Sequence, residues 1–148
     1  MKPPDRGAYC LLIHLQAERE VTIGRLGRFH FPEGYYLYYG SAMRGLAARI
    51  ARHQRRAKKL RWHIDYLLAL PAAKVVAAIP YPSASGEREE CRLNRAVQQW
   101  PGMIVPVPGF GSSDCTSGCP AHLTYIEKSP ITLSLRDLLP VTRSRNTR

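Results

Sequence analysis

The sequence predicts one mixed α/β domain of the α+β kind, a small, mainly antiparallel sheet with an extra β-hairpin, flanked by helices. Three observations carry this expectation. The runs AYCLLIHL (8–15), YYLYY (35–39) and KVVAAIPY (from Lys74) are rich in β-formers, and the second has no polar break, which suits a strand covered on both faces. The stretches between and after them carry helical spacing instead. Finally, 148 residues suffice for one core and are too few for two comfortable ones, so residues 1–140 are read as a single domain followed by a basic, disordered tail at 141–148.

The elements follow in order. After the strand at 8–15, Gln16 to Glu20 form a polar turn and Val21-Thr22-Ile23 a short return strand, so a hairpin precedes the central unit. Gly24 and Gly27 punctuate a loop, GRLGRFHFPEG, before the strand that begins at Tyr35. Gly40 ends that strand at a tight turn. In the helix that follows, Leu46 and Ile50 share a stripe at about 100° per residue. Arg49 and His53 lie beside that stripe and lean toward the sheet, while Arg52, Arg55, Arg56 and Lys59 form a second arc facing water or a polyanion.

The next helix, KKLRWHIDYLLAL, places His63, Tyr66, Leu67 and Leu70 on one face and is stopped by Pro71. Either this is a packing helix, or His63 and Asp65 form a polar pair lining a cleft. The strand from Lys74 is expected beside the one from Tyr35. In SASGEREECRLNRAVQQW, Ser85 caps a helix whose first turn is acidic, where the macrodipole favours carboxylates; this accounts for Glu87 and Glu89. The remainder is irregular, with an edge strand over 122–127 and a short helix or strand in LSLRDLLPVT.

Composition narrows the partners. The 22 Lys and Arg against 11 Asp and Glu leave a net charge of +11, which attracts polyanions and makes nucleic acid the first partner to consider. No amphipathic helix with an aromatic apolar face supports a membrane surface, and no apolar run is long enough for a span. MKPPDRGAY is too polar for a secretory signal, so a cytoplasmic location is expected and the four cysteines read as thiols or ligands.

A guanidinium at the edge of a core beside tyrosines, one turn from an imidazole, can grip a phosphate. Each part also has a plainer reading: core tyrosines, a solvated basic face and a capping histidine. The residues as a set resemble the GIY-YIG nuclease superfamily. Gly7-Ala8-Tyr9 is similar to its first triplet and Tyr38-Tyr39-Gly40 to its second, with Arg49 and His53 at the matching helix positions. Glu90-Cys91-x-Leu93, and the Phe110 to Cys115 loop followed by His122-Leu123, resemble a branch of nuclease-like domains with an extra hairpin between the triplets.

The resemblance implies a metal-dependent endonuclease acting on nucleic acid, DNA before RNA, in repair or defence. It implies Glu90 as ligand to one Mg²⁺ or Mn²⁺, Arg49 as stabiliser of phosphoryl charge, Tyr9 and Tyr38 as groups that position or deprotonate the water, and His53 as a relay or phosphate contact. One carboxylate is enough for Mg²⁺, which keeps several waters. In the glycine-rich loop, Ser112, Ser113 and Asp114 are read as closing over the cleft, with His63 and His122 near it. A structural Zn²⁺ at Cys115, Cys119 and His122, completed by Cys91 or His63, is the lesser alternative. Two further readings compete with the nuclease: a non-catalytic nucleic-acid-binding module, and a thiol enzyme on Cys115 and His122.

Overall fold

In the computed structural model, residues 4–55, 58–83, 89–111 and 119–126 are described. Four strands form one antiparallel sheet: β1 (Gly7–Leu15), β4 (Gly34–Ala42), β5 (Ala73–Pro82) and β6 (Leu123–Ile126), in the order β5-β1-β4-β6. A separate hairpin pairs β2 (Arg19–Ile23) with β3 (Gly27–Phe31). The helices are α1 (Leu46–Gln54), α2 (His63–Leu68) and α3 (Glu89–Gln98). The architecture is therefore mixed α+β, a mainly antiparallel sheet flanked by helices. No helix among the described residues is long and apolar enough to cross a membrane.

The alternation of side chains along β1 and β4 explains why both were legible as strands. Tyr9, Leu11, Ile13 and Leu15 join Tyr36 and Tyr38 on one face, packed with Leu46 of α1, Ile64, Leu67 and Leu68 of α2, and Val21, Ile23 and Phe31 of the hairpin. Ala8, Cys10 and Leu12 join Leu37 and Tyr39 on the other face, under Leu93 and Val97 of α3. With both faces covered, each strand can be apolar throughout.

Several expectations need correction. The strand from Lys74 lies beside β1, not beside β4, because β1 takes the central position and accepts a partner on each edge. As an edge strand β5 can hold Pro80 and Pro82, which cannot donate to a ladder on both sides. The 21–23 segment does not return along β1. It pairs with β3, which arises within the stretch read as a loop; Phe29 and Phe31 supply the β-forming, core-seeking residues there. β4 continues past Gly40 to Ala42. In α2 the buried stripe is Ile64, Leu67 and Leu68 with Asp65, rotated from the face read as His63, Tyr66, Leu67 and Leu70.

The N-terminus of α1 is capped from a distance. Asp5 accepts the Ala47 amide on its Oδ1 at 3.0 Å and the Leu46 amide on its carbonyl at 3.1 Å. This fastens the start of β1 to the start of α1 by satisfying orphan helix donors. Residues 127–148, including the LSLRDLLPVT segment and the basic tail, and Ser85 and Glu87 lie outside the described residues.

Candidate active site

The antiparallel register of β1 and β4 sets Tyr9 directly opposite Gly40, with Tyr38 one diagonal step away. A Cβ at position 40 would come within 2.5 Å of the Tyr9 hydroxyl oxygen and 2.6 Å of its Cζ, so glycine is needed for the ring to cross the neighbouring strand. The rings of Tyr9 and Tyr38 are 6.4 Å apart. Against them α1 lays His53, which is 1% exposed and whose Nε2 is 2.7 Å from the Tyr9 hydroxyl.

Burial decides the protonation of this pair. Removal from water pushes the Tyr9 hydroxyl up to about 12, although the Arg49 guanidinium opposes this by charge and by hydrogen bonding. Tyr38 is likewise raised well above its ordinary value, again by burial first, with the neighbouring Tyr9 adding to it. Burial lowers His53 to about 4 against the pull of Asp65, with Arg52, Lys58 and Arg49 pushing the same way as burial. Both phenols thus keep their protons at neutral pH and the imidazole is neutral. We assign the Tyr9 hydroxyl as donor to Nε2, which leaves the ring proton on Nδ1, an atom with no hydrogen-bond partner among the described residues.

A stability consequence follows. The unfolded chain takes up a proton on His53 near pH 6.5, while the folded chain resists it down to about 4. Stability therefore falls as pH drops through that window, by about 3 kcal/mol in all. His63, also lowered by burial, acts in the same direction. In urea titrations across pH 4–7, His53→Gln is expected to reduce the wild-type slope by close to one proton. Equal slopes in the two proteins would show that His53 is not buried as the neutral form.

Arg49 donates to the Ser41 carbonyl at 3.0 Å, and its guanidinium carbon is 4.7 Å from the centre of the Trp62 ring. Arg52 and Arg61 approach the same ring at 4.5 and 5.0 Å, so one indole carries three guanidiniums. Arg52 does not belong to an open basic arc. Its two terminal nitrogens donate to Asp65 Oδ1 and Oδ2 at 3.0 and 3.1 Å, and the Asp65 side chain is fully buried. Asp65 also accepts the Arg61 and Trp62 amides at 2.8 and 2.9 Å. Burial by itself would raise this carboxyl, but the Arg52 and backbone hydrogen bonds hold it below its ordinary value.

Asp65 is consequently no partner of His63. The His63 Nδ1 accepts the Gly111 amide at 2.8 Å and its ring lies against Phe110, 5.7 Å between centres, so it pins the loop that precedes residues 112–118. Of the predicted basic arc, Arg55 and Lys59 are exposed, and Arg56 lies outside the described residues.

The first turn of α3 supplies Glu90. It is 2% exposed, and its charge acts on both Tyr9 and Tyr38, although Leu93 and Val97 of the same helix pack under the opposite face of the sheet. Tyr9 of β1, Tyr38 of β4 and Arg49 and His53 of α1 thus gather at one end of the sheet, within reach of the Glu90 charge from α3.

Beside this group is a second. Cys91, Cys119 and His122 bring two sulfurs and a ring nitrogen within 4.8 Å of one another, compatible with a metal site. His122 also packs near Tyr38 across Gly111. Ser112, Ser113, Asp114 and Cys115, assigned from sequence to the cleft loop or the metal, lie outside the described residues.

The family model described as Domain of unknown function DUF123 matches residues 8–141. The chain belongs to the DUF123 family. No curated protein and no solved structure matches it. The family match takes in both groups of this DUF123 domain, the tyrosine, arginine and glutamate end and the cysteine and histidine cluster.

Sequence reading named every member of the first group, because each lies in a short motif. It missed the Trp62 platform and the Arg52–Asp65 pair. Trp62 lies between Arg61 and His63 in a basic stretch, a signal that was available. The Arg52–Asp65 pair joins two helices and left none.

Proposed function

We propose that this DUF123 domain is a metal-dependent endonuclease that cleaves the phosphodiester backbone of nucleic acid, DNA before RNA, with a site of GIY-YIG type. The observation that carries the reading is the convergence of Tyr9, Tyr38, Arg49, His53 and Glu90 from four separate elements. The plainer reading, core tyrosines and a capping histidine, does not account for a carboxylate and a guanidinium both acting on the same buried phenols.

The buried Glu90 carboxylate, whose charge reaches both phenols, is a hard oxygen donor of the kind Mg²⁺ or Mn²⁺ prefers, and Glu90 is the residue to hold the ion. When bound, that ion neutralises phosphoryl charge and lowers the pKa of a water. Arg49 faces the same place with a fixed positive charge, oriented by Ser41 and Trp62, and stabilises the charge that grows on the phosphate. Tyr9 and Tyr38 are too high in pKa to serve as resting bases, so their hydroxyls orient water or a phosphate oxygen. His53, neutral and accepting the Tyr9 hydroxyl on Nε2, holds that phenol in a fixed orientation.

The strand to be cut approaches over the exposed Arg55, Lys59 and Arg61. Arg55→Ala and Lys59→Ala are each expected to reduce the slope of log affinity against log salt by about 1 with folding unchanged. Fluorescence anisotropy with a duplex at several salt concentrations measures it; unchanged slopes would move the nucleic-acid path elsewhere. The reading sets the protein in the cytoplasm, in DNA repair or defence.

The direct test is nicking of supercoiled plasmid with Mg²⁺, with Mn²⁺ and with EDTA. Nicking that needs the ion supports the proposal. Salt-sensitive retardation of plasmid and of branched or damaged duplexes, with no ion-dependent scission of any, would replace it by a non-catalytic binding module.

A further inference from the structure

We infer that Cys91, Cys119 and His122 form a binding site for a thiophilic divalent ion, zinc in the first place, separate from any ion held by Glu90. The donors are two thiols and an imidazole, the set that selects zinc over Mg²⁺ or Mn²⁺. Zn–S and Zn–N bonds of about 2.3 and 2.0 Å at the tetrahedral angle put neighbouring ligand atoms roughly 3.6 to 3.8 Å apart. Cys91 Sγ and His122 Nε2 are 3.8 Å apart, and the Cys119 sulfur completes a triangle within 4.8 Å. Three protein donors leave one tetrahedral position for water or an added ligand.

The cluster is also built to stay in place. All three residues are buried, at 2%, 8% and 5% exposed. The backbone of His122 is held at both ends, its amide donating to the Phe110 carbonyl at 2.8 Å and its carbonyl accepting the Tyr39 amide at 3.1 Å. From α3, Asn94 donates to the Ala121 carbonyl at 2.6 Å, and Gln98 donates to the same carbonyl at 3.1 Å and to Thr124 Oγ1 at 3.2 Å. The helix bearing Cys91 and the segment bearing Cys119 and His122 are therefore stitched together beside the donors. Buried thiols also occur as small apolar residues. That alternative explains Cys10, which is packed among Leu12, Leu37 and Tyr39, but not two thiols and an imidazole gathered within 4.8 Å, with the Cys91 thiol on the His122 ring and the Cys119 thiol on the Cys91 carbonyl.

The ion would replace two thiol protons on binding and tie the first turn of α3 to the entry of β6. Glu90 precedes Cys91 in that turn, so the ion also steadies the candidate active site. The inference does not depend on the endonuclease reading, because its test reads metal and not cleavage.

The test uses the whole chain, purified in the presence of Zn²⁺, desalted, and assayed for metal by mass spectrometry. About one zinc per chain is expected, as are a thiolate-to-cobalt charge-transfer band when Co²⁺ is supplied to metal-stripped protein and its loss on adding Zn²⁺. Cys91→Ala and Cys119→Ala should each lose most of the zinc, while Cys10→Ala keeps it. Should the alanine variants fail to fold, His122→Cys is informative, since three thiolates in place of two should raise the charge-transfer intensity by about half. Wild-type protein that carries no zinc, gives no charge-transfer band with Co²⁺ and shows no rise in melting temperature with Zn²⁺ would overturn the inference.

Discussion

Replacing Arg49 by alanine is expected to lower the rate of ion-dependent plasmid nicking by roughly 10²- to 10³-fold, the usual loss when a preorganised partner of transition-state charge is removed. Arg49 is positioned for this by contacts that do not involve substrate, the Ser41 carbonyl and the Trp62 ring. It therefore arrives oriented, with little reorganisation at the moment of reaction. Glu90→Gln is expected to lose at least as much, since it removes the charge of the one carboxylate proposed for the ion while nearly preserving shape. The two losses should differ in kind. Raising Mn²⁺ is expected to recover part of the activity of Glu90→Gln and none of that of Arg49→Ala. Cleavage that persists in both variants at matched purity would show that the activity belongs elsewhere or to a contaminant.

Asp65→Ala is expected to destabilise the fold by about 3–5 kcal/mol, enough to unfold a marginal domain of this size. The carboxylate accepts two hydrogen bonds from Arg52 and two from backbone amides at the start of α2, and its side chain is wholly buried. Removal takes the counter-charge from Arg52, whose side chain is only 16% exposed and keeps, among the described residues, just the Lys59 carbonyl as a hydrogen-bond acceptor, and leaves two amides without theirs. Arg52→Ala should cost less, because Asp65 keeps its amide donors. The double variant should cost less than the sum of the singles, since the group left uncompensated in each is then absent. Urea midpoints at constant m-value measure all three. A cost under 1 kcal/mol for Asp65→Ala would mean that the pair does not hold α1 to α2.

The acid window of His53 and the Asp65 contribution act at different pH. His53 costs stability as pH falls from 6.5 toward 4, whereas Asp65, held below its ordinary value, is lost only under about 3.8. A wild-type profile should therefore weaken in two stages, and His53→Gln should soften the first alone.

Local chemistry determined much of this protein. The β-rich runs at 8–15 and 35–39 had to be covered strands because they offer no polar face, and the helical spacing of Leu46 and Ile50 sent Arg49 and His53 inward. The tyrosine and glycine triplet was legible as a resemblance, whereas the reason for Gly40, the Tyr9 ring crossing its strand, came from the strand pairing. Net charge likewise follows from composition alone.

What only tertiary structure decided is pairing. That β1 lies between β4 and β5, and that β2 closes on β3, depend on competition among strands of similar character, since backbone hydrogen bonds carry little residue identity. The same holds for charge. On a helical wheel Arg52 resembles Arg55, and its capture by Asp65 depends on where α2 docks. Cys91 and Cys119 are distant in sequence, and α3 packing against the lead into β6 makes them neighbours of one histidine.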